Sequence, residues 1–168
     1  MSVRPSTLTH DAFIARFGPV YEASPWVAET IWPAAAHGAL DAPEAMARAM
    51  RAVVDEAPRE ARLALIRAHP QLAVAGEVMA EASVREQKGA GLDRCSPAEL
   101  AAFRSLNAAY LARFGHPFII AVAGLSRGEI LAAFAARLEN DAEAEFATAM
   151  EQIHRIAGFR LAALMGPE

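Results

Sequence analysis

Signals that start an α-helix recur along this chain, and they constrain its fold more than any other feature. The stretch from Ser96 to Gly115 places Ser96 and Glu99 in the spacing of a capping box, with a proline between them and a glycine to close the helix. Ser126 and Glu129 repeat the same spacing. Since 54% of the residues are hydrophobic and only 7% are aromatic, alanine and leucine carry the apolar share, which favours helices over sheets.

The length of the chain indicates one domain. Its 168 residues suffice for a single hydrophobic core, and no linker or internal repeat divides it. We therefore predict an all-α, single-domain bundle of roughly seven to nine helices over residues 1–168. The β-branched run at 118–124 stands alone, and we interpret it as a buried helical turn or an extended connector.

Three further helix predictions depend on shorter signals. Ser24 is expected to cap a helix whose first position is Pro25, where the missing N–H does no harm. Asp41 is expected to start the next helix in the same way. The last segment, residues 142–165, predicts a long amphipathic helix with one apolar stripe.

Charge and cysteine content exclude several classes of protein. The net charge is −4 and the sequence has no basic stripe, so we expect no nucleic-acid partner. No apolar run is long enough to cross a bilayer, so we expect no membrane partner. The single cysteine, Cys95, suits a reducing cytoplasm, and its place at a helix start is typical of a lowered thiol pKa. The five histidines lack metal-binding spacing, so we expect no metal.

The stretch "EASVREQKGAGLD" gathers three polar side chains on one helix face. Ser83, Glu86 and Gln87 lie at i, i+3 and i+4, and the glycines at 89 and 91 stop the helix. A solvated face is the usual explanation of such a trio. One wall of a functional pocket is the alternative.

Two histidines precede a proline. His69 follows a helix that is predicted to end at Ala68, because the residue before Pro70 is pushed out of the helical region. Its imidazole can therefore project from a helix C-terminus, where the protonated form is favoured. Capping of the last carbonyls is the alternative. His116 precedes Pro117 in the same manner, and spacing alone does not choose between the two histidines.

Arg160 lies near the end of the last predicted helix, at the margin of its apolar stripe. An arginine in this position is either a snorkelling surface residue or a bidentate clamp for a carboxylate. Taken alone, it does not decide a function.

Four motifs in combination resemble the OHCU decarboxylase family, the 2-oxo-4-hydroxy-4-carboxy-5-ureidoimidazoline decarboxylases. They are "LIRAHPQLA", "SVREQKGAGLD", "LNAAYLARFGHPFIIAVAG" and "IHRIAGFRLAAL". The similarity starts at "FIARFGPVYEASPWVAETIWP" and covers nearly the whole chain. Gln71 stands where the family commonly has an acidic residue and Lys88 where it has a small one, and neither position is catalytic.

The resemblance implies a metal-free and cofactor-free all-α decarboxylase, usually a homodimer, that converts OHCU to (S)-allantoin during urate degradation. It also implies a functional link to urate oxidase and 5-hydroxyisourate hydrolase. By the same resemblance, His69 and Glu86 are the catalytic residues. Substrate-binding positions are Pro70, Ser83, Gln87, Arg160 and the backbone around Ile119.

Two other functions remain open at this point. A helical module that binds a ureide or purine breakdown product without turnover predicts saturable binding and no release of CO2. A helical interaction domain whose polar face docks a partner helix predicts exposed apolar surface and no small-molecule pocket.

Overall fold

A computed structural model of the protein describes residues 3–74 and 79–166. These residues form eight α-helices and three single turns of 3₁₀-helix, with no β-strand among them. The prediction of an all-α chain with seven to nine helices is therefore confirmed. The α-helices are α1 (His10–Phe17), α2 (Trp26–Ala36), α3 (Pro43–Glu56), α4 (Arg59–Ala68), α5 (Glu81–Gly89), α6 (Pro97–Phe114), α7 (Arg127–Arg137) and α8 (Ala142–Met165). Within the described ranges, none of these helices has the length and apolarity needed to span a membrane.

The capping boxes predicted for α6 and α7 are both present. The Ser96 hydroxyl accepts from the N–H of Glu99 at 3.1 Å, and the Glu99 carboxylate accepts from the N–H of Ser96 at 3.0 Å. Ser126 and Glu129 make the same pair at 3.1 and 2.7 Å. Gly115 ends α6 in the left-handed region, with φ of +73°. Local sequence therefore sets the starts of both helices.

The caps predicted at Ser24 and Asp41 are wrong. No side chain caps α2 or α3. The Ser24 hydroxyl instead donates to the backbone oxygen of Glu22 at 2.8 Å. The Asp41 carboxylate accepts from the N–H and the hydroxyl of Ser6 at 2.9 and 2.6 Å. Each of these side chains was expected to bind an N–H at the start of a helix. Each instead makes its hydrogen bond to a residue outside the helix.

The described residues fall into two compact units, whose boundaries lie within α4 and α8. The first unit holds the chain up to Leu65 and from Ile153 onward, and the second unit runs from Ile66 to Gln152. The core of the second unit consists of Leu72, Leu92, Phe103, Tyr110, Phe118, Val122, Ile130 and Phe134. The predicted apolar stripe of α8 is buried along its whole length, at Phe146, Met150, Ile153, Ala157 and Leu161.

The β-branched run belongs to the second unit and has neither helix nor strand geometry at residues 117–122. Its interpretation as a connector is therefore confirmed. Phe118 is buried and stacks on Phe134 with ring centroids 3.9 Å apart. The connector is thus fixed by its aromatic end in the core of that unit.

Ser96→Ala is expected to lower the free energy of unfolding by about 1 kcal/mol, because it removes one hydrogen bond of the α6 capping box. Ser105→Ala is the matched control, since Ser105 is exposed inside the same helix and alanine is the better helix former. Urea unfolding followed by circular dichroism measures both variants. Equal stability of Ser96→Ala and the unchanged protein would contradict the role of the box.

Candidate functional site

His69 lies immediately after the last residue of α4, as the following proline predicted. The helix ends at Ala68, and the N–H of His69 donates to the oxygen of Ile66 at 3.2 Å. The residue is only 8% exposed. The imidazole is therefore carried at a helix C-terminus in surroundings that are largely shielded from solvent.

The polar face of α5 is turned inward. Ser83 and Gln87 are buried and Glu86 is half-buried, whereas Arg85 and Lys88 on the other face are exposed. A solvated face therefore does not explain Ser83 and Gln87. The helix ends at a glycine, as predicted.

The Gln87 amide anchors residues 69–74, which begin with His69 and are here called the His-Pro segment. Its Nε2 donates to the main-chain oxygen of Gln71 at 3.0 Å, and its Oε1 accepts from the N–H of Ala73 at 3.0 Å. Nε2 also lies 3.3 Å from the sulfur of Met79. Both ends of one amide thus join α5 to the His-Pro segment, an arrangement that sequence reasoning missed.

Asn107 of α6 is a second anchor for the same segment. Its Nδ2 donates to the oxygen of Leu72 at 3.0 Å, and the residue is buried. Ala73, whose N–H is bound by Gln87, has φ of +56°. That conformation costs a residue with a Cβ about 1–2 kcal/mol, and strain of this kind is often found at functional sites. No local pattern could have predicted a bond between residues so far apart in the chain.

A cleft of about 480 Å³ borders the His-Pro segment. It is lined by Gln71, Ala73, Val74, Leu100, Arg104, Asn107, Ala108 and Leu111. His69, Ser83 and Glu86 do not line it, so it is not the site that the sequence predicts.

The backbone around Ile119 is held by two side chains. The carbonyl of Ile119 accepts from Nη1 of Arg137 at 2.6 Å, and the N–H of Ala121 donates to Oε1 of Gln152 at 2.9 Å. Among the residues described, no hydrogen-bond acceptor is found for the N–H groups of Ile119 and Ile120. The connector therefore carries main-chain donors that the fold of this unit does not use.

Arg137 is itself fixed by a fully buried carboxylate. Nε and Nη2 of Arg137 donate to Oε1 of Glu145 at 2.8 and 2.5 Å. Asn140 donates to the other oxygen at 3.0 Å, and the Tyr110 hydroxyl donates to Oε1. Burial and the adjacent Glu145 raise the pKa of the Tyr110 hydroxyl, which keeps it a donor. The guanidinium carbon also lies 4.3 Å from the centroid of the Phe118 ring.

Arg160 belongs to the first unit and forms a buried ion pair there. Its Nη1 donates to Oε2 of Glu22 at 2.9 Å and lies 3.3 Å from the oxygen of Val20. Arg160 and Glu22 are 7% and 4% exposed. The interpretation of Arg160 as a snorkelling surface residue is therefore wrong.

The predicted site residues are distributed over both units. Arg160 is in the first unit. The second unit contains His69, Pro70, Ser83, Glu86, Gln87 and Ile119. Within the second unit, the Gln87 amide ties the segment with His69 and Pro70 to the helix with Ser83 and Glu86.

Cys95 differs from its prediction. Burial, with Glu99 nearby, raises the pKa of the thiol, so the helix start does not activate it. In the part of the chain that the structure describes, no cluster of three or more histidine, cysteine or acidic side chains is placed to hold a metal ion.

Comparison with known proteins gives one consistent result. A family model described as OHCU decarboxylase matches residues 6–162. The OHCU decarboxylase of Haloferax volcanii is 40% identical over 155 residues, which cover 92% of this chain and 90% of that protein. The uric acid degradation bifunctional protein PucL of Bacillus subtilis is 42% identical over 145 residues, which cover 86% of this chain and 28% of that protein.

A solved structure is also similar. The crystal structure of (S)-allantoin synthase matches with a TM-score of 0.77 at 31% sequence identity. The match covers 96% of this chain and 52% of that one, so this chain spans about half of the solved chain.

Gln87→Ala is expected to lower the free energy of unfolding by about 2–3 kcal/mol, because it removes the two hydrogen bonds that the amide makes to main-chain groups of Gln71 and Ala73. Lys88→Ala, an exposed change in the same helix, is the control and should stay within about 0.5 kcal/mol. Urea unfolding measures both. A Gln87→Ala protein as stable as the control would show that the amide does not anchor the segment.

Proposed function

This chain belongs to the OHCU decarboxylase family, and from that premise we propose that it decarboxylates OHCU to (S)-allantoin in urate degradation. The structural observation that carries the proposal is the Gln87 amide. It ties the segment that bears His69 to the helix that bears Glu86 and Ser83. This link between the two elements supports the roles that the family resemblance implies for His69, Glu86 and Ser83.

The reaction needs little from a protein beyond position and charge. The substrate is an anion whose carboxylate is attached to a carbon beside an electron-withdrawing ring system. When the bond to the carboxylate breaks, CO2 leaves, the electron pair passes to the ring carbonyl or imine, and a proton then adds to the carbon. The protein fixes the carboxylate, stabilises the developing charge and delivers the proton to one face. We therefore propose catalysis without a metal or cofactor.

His69 and Glu86 are proposed as the catalytic pair. His69 supplies the proton from its place directly after the end of α4. Glu86 sets the state of that imidazole or anchors the ring. The Ser83 hydroxyl and the main chain at Pro70 and Ile119 hold the ring by hydrogen bonds. The N–H of Ile119, for which the described part of the chain offers no acceptor, supports its part in this assignment.

Arg160 and Gln87 are proposed as further substrate-binding residues, because both match positions in the family motifs. A guanidinium carries five N–H donors in a planar fork, so an arginine can bind Glu22 and a substrate carboxylate together. The Gln87 amide also serves the His-Pro segment. Its loss would therefore affect both the support of His69 and the binding of substrate.

The biological setting is proposed on the family resemblance. We propose a homodimer in the cytoplasm, a compartment that suits a chain with a single cysteine. Urate oxidase and 5-hydroxyisourate hydrolase would supply its substrate. The name of the Bacillus subtilis relative, which refers to uric acid degradation, supports this setting.

His69→Ala is expected to lower kcat about 10²–10⁴-fold with the fold retained, since a general acid contributes a factor of that size. OHCU is generated fresh from urate with urate oxidase and 5-hydroxyisourate hydrolase, and circular dichroism follows the appearance of one allantoin enantiomer. His116→Ala, at the other histidine before a proline, is the control and should keep kcat once its far-UV spectrum shows a native fold. A chelator should leave the turnover of the unchanged protein intact.

Near-normal turnover in the His69→Ala protein would remove the proposed proton donor. Saturable binding of a ureide without faster allantoin formation by the unchanged protein would instead identify a non-catalytic binding module.

A further inference from the structure

We propose that Arg137 and Gln152 are positioning residues, which set the main-chain groups that the connector presents to the substrate. The proposal rests on the function proposed above and concerns the connector at residues 117–122. Neither side chain belongs to a motif that the sequence analysis assigned to the reaction.

The two side chains grip adjacent peptide units. Nη1 of Arg137 binds the carbonyl of Ile119, and Oε1 of Gln152 binds the N–H of Ala121. The first of these groups belongs to the peptide unit between residues 119 and 120. The second belongs to the unit between residues 120 and 121. The peptide units on both sides of Ile120 are therefore fixed by side chains from α7 and α8.

The planarity of the peptide bond determines where the remaining groups point. In a trans peptide unit the carbonyl and the N–H point in opposite directions. Since the carbonyl of Ile119 points to Arg137, the N–H of Ile120 points away from it. Since the N–H of Ala121 points to Gln152, the carbonyl of Ile120 points away from that residue. Ile120 thus presents an N–H donor and a carbonyl acceptor that neither Arg137 nor Gln152 binds.

A donor beside an acceptor on one residue complements an amide or ureide group, which also carries an N–H beside a carbonyl. Ile120 is half-buried, whereas its neighbours Ile119 and Ala121 are buried. Among the described residues, no partner is found for either main-chain group of Ile120. The chemical class that such a pair recognises is the cyclic ureide of the proposed substrate and product.

The guanidinium of Arg137 can hold the Ile119 carbonyl in a way that a lysine ammonium cannot. Two of its nitrogens are committed to the buried Glu145, and a third reaches Ile119 from the same rigid plane. Tyr110 and Asn140 hold the carboxylate in turn. A lysine has one ammonium on a flexible stem and cannot reproduce this fork. The position of the Ile119 carbonyl therefore depends on the guanidinium shape as well as its charge.

Gln152→Ala removes the hydrogen bond to the N–H of Ala121. Of the two positioning residues, Gln152 is expected to tolerate substitution better, because it is only half-buried and carries no charge. We expect KM to rise about 3- to 10-fold, the effect of one lost hydrogen bond, and kcat to stay within about twofold. The ring-binding groups act on substrate and transition state alike, which is why KM should carry the effect. Thr148→Ala is the control: it lies one turn earlier in α8 and removes only a bond to the oxygen of Ala144.

Arg137→Lys is expected to raise KM about tenfold or more. Its control is Arg113→Lys, an exposed change that affects a bond to the oxygen of Asn140. A purely structural role would lower the amount of active protein and leave KM unchanged. If Arg137→Lys does not fold, Gln152→Ala decides alone.

Isothermal titration calorimetry with (S)-allantoin separates this inference from the proposed function. If the unchanged protein binds (S)-allantoin without turning OHCU over, the proposed function fails, and a weaker dissociation constant in Gln152→Ala still supports the positioning role. Unchanged KM and dissociation constant in a folded Gln152→Ala protein would overturn the inference. The absence of both binding and turnover in the unchanged protein would overturn both.

Discussion

The candidate site depends on one side-chain amide. Gln87 binds a main-chain oxygen and a main-chain N–H two residues apart, so it fixes the path of the chain directly after His69. The Gln87 side chain is buried, and a buried polar group that loses its partner costs more than the hydrogen bond itself contributes. For this reason the His-Pro segment can hold a strained residue, Ala73, without a regular helix or strand around it.

Each unit contains a buried carboxylate that forms an ion pair with an arginine and thereby also fixes the position of that arginine. In the second unit Glu145 orients Arg137, whose remaining donor holds the Ile119 carbonyl. In the first unit Glu22 binds Arg160. Removing one partner of such a pair leaves an uncompensated charge in a poorly solvated place, which is strongly destabilising. These carboxylates therefore hold Arg137 and Arg160, two arginines with roles in the proposed site.

Local signals in the sequence predicted the local parts of the structure. The capping boxes and the end of α4 before Pro70 involve residues within one or two turns of each other. The anchors of the site join residues far apart, such as Asn107 with Leu72 or Arg137 with Ile119, and no spacing rule reports them. Asp41 shows that a local signal can also mislead. It was expected to cap α3, but its carboxylate binds Ser6, which is distant in the sequence.

The family resemblance supplied roles that spacing could not, above all the choice of His69 over His116. The proposed function requires that this helical chain directs both bond breaking and proton delivery. OHCU labelled with ¹³C in its carboxylate tests that claim, with released ¹³CO2 and the optical rotation of allantoin recorded in the same sample. We expect the protein to accelerate the release of ¹³CO2 and to form a single enantiomer of allantoin. Label release at the uncatalysed rate with racemic allantoin would contradict it.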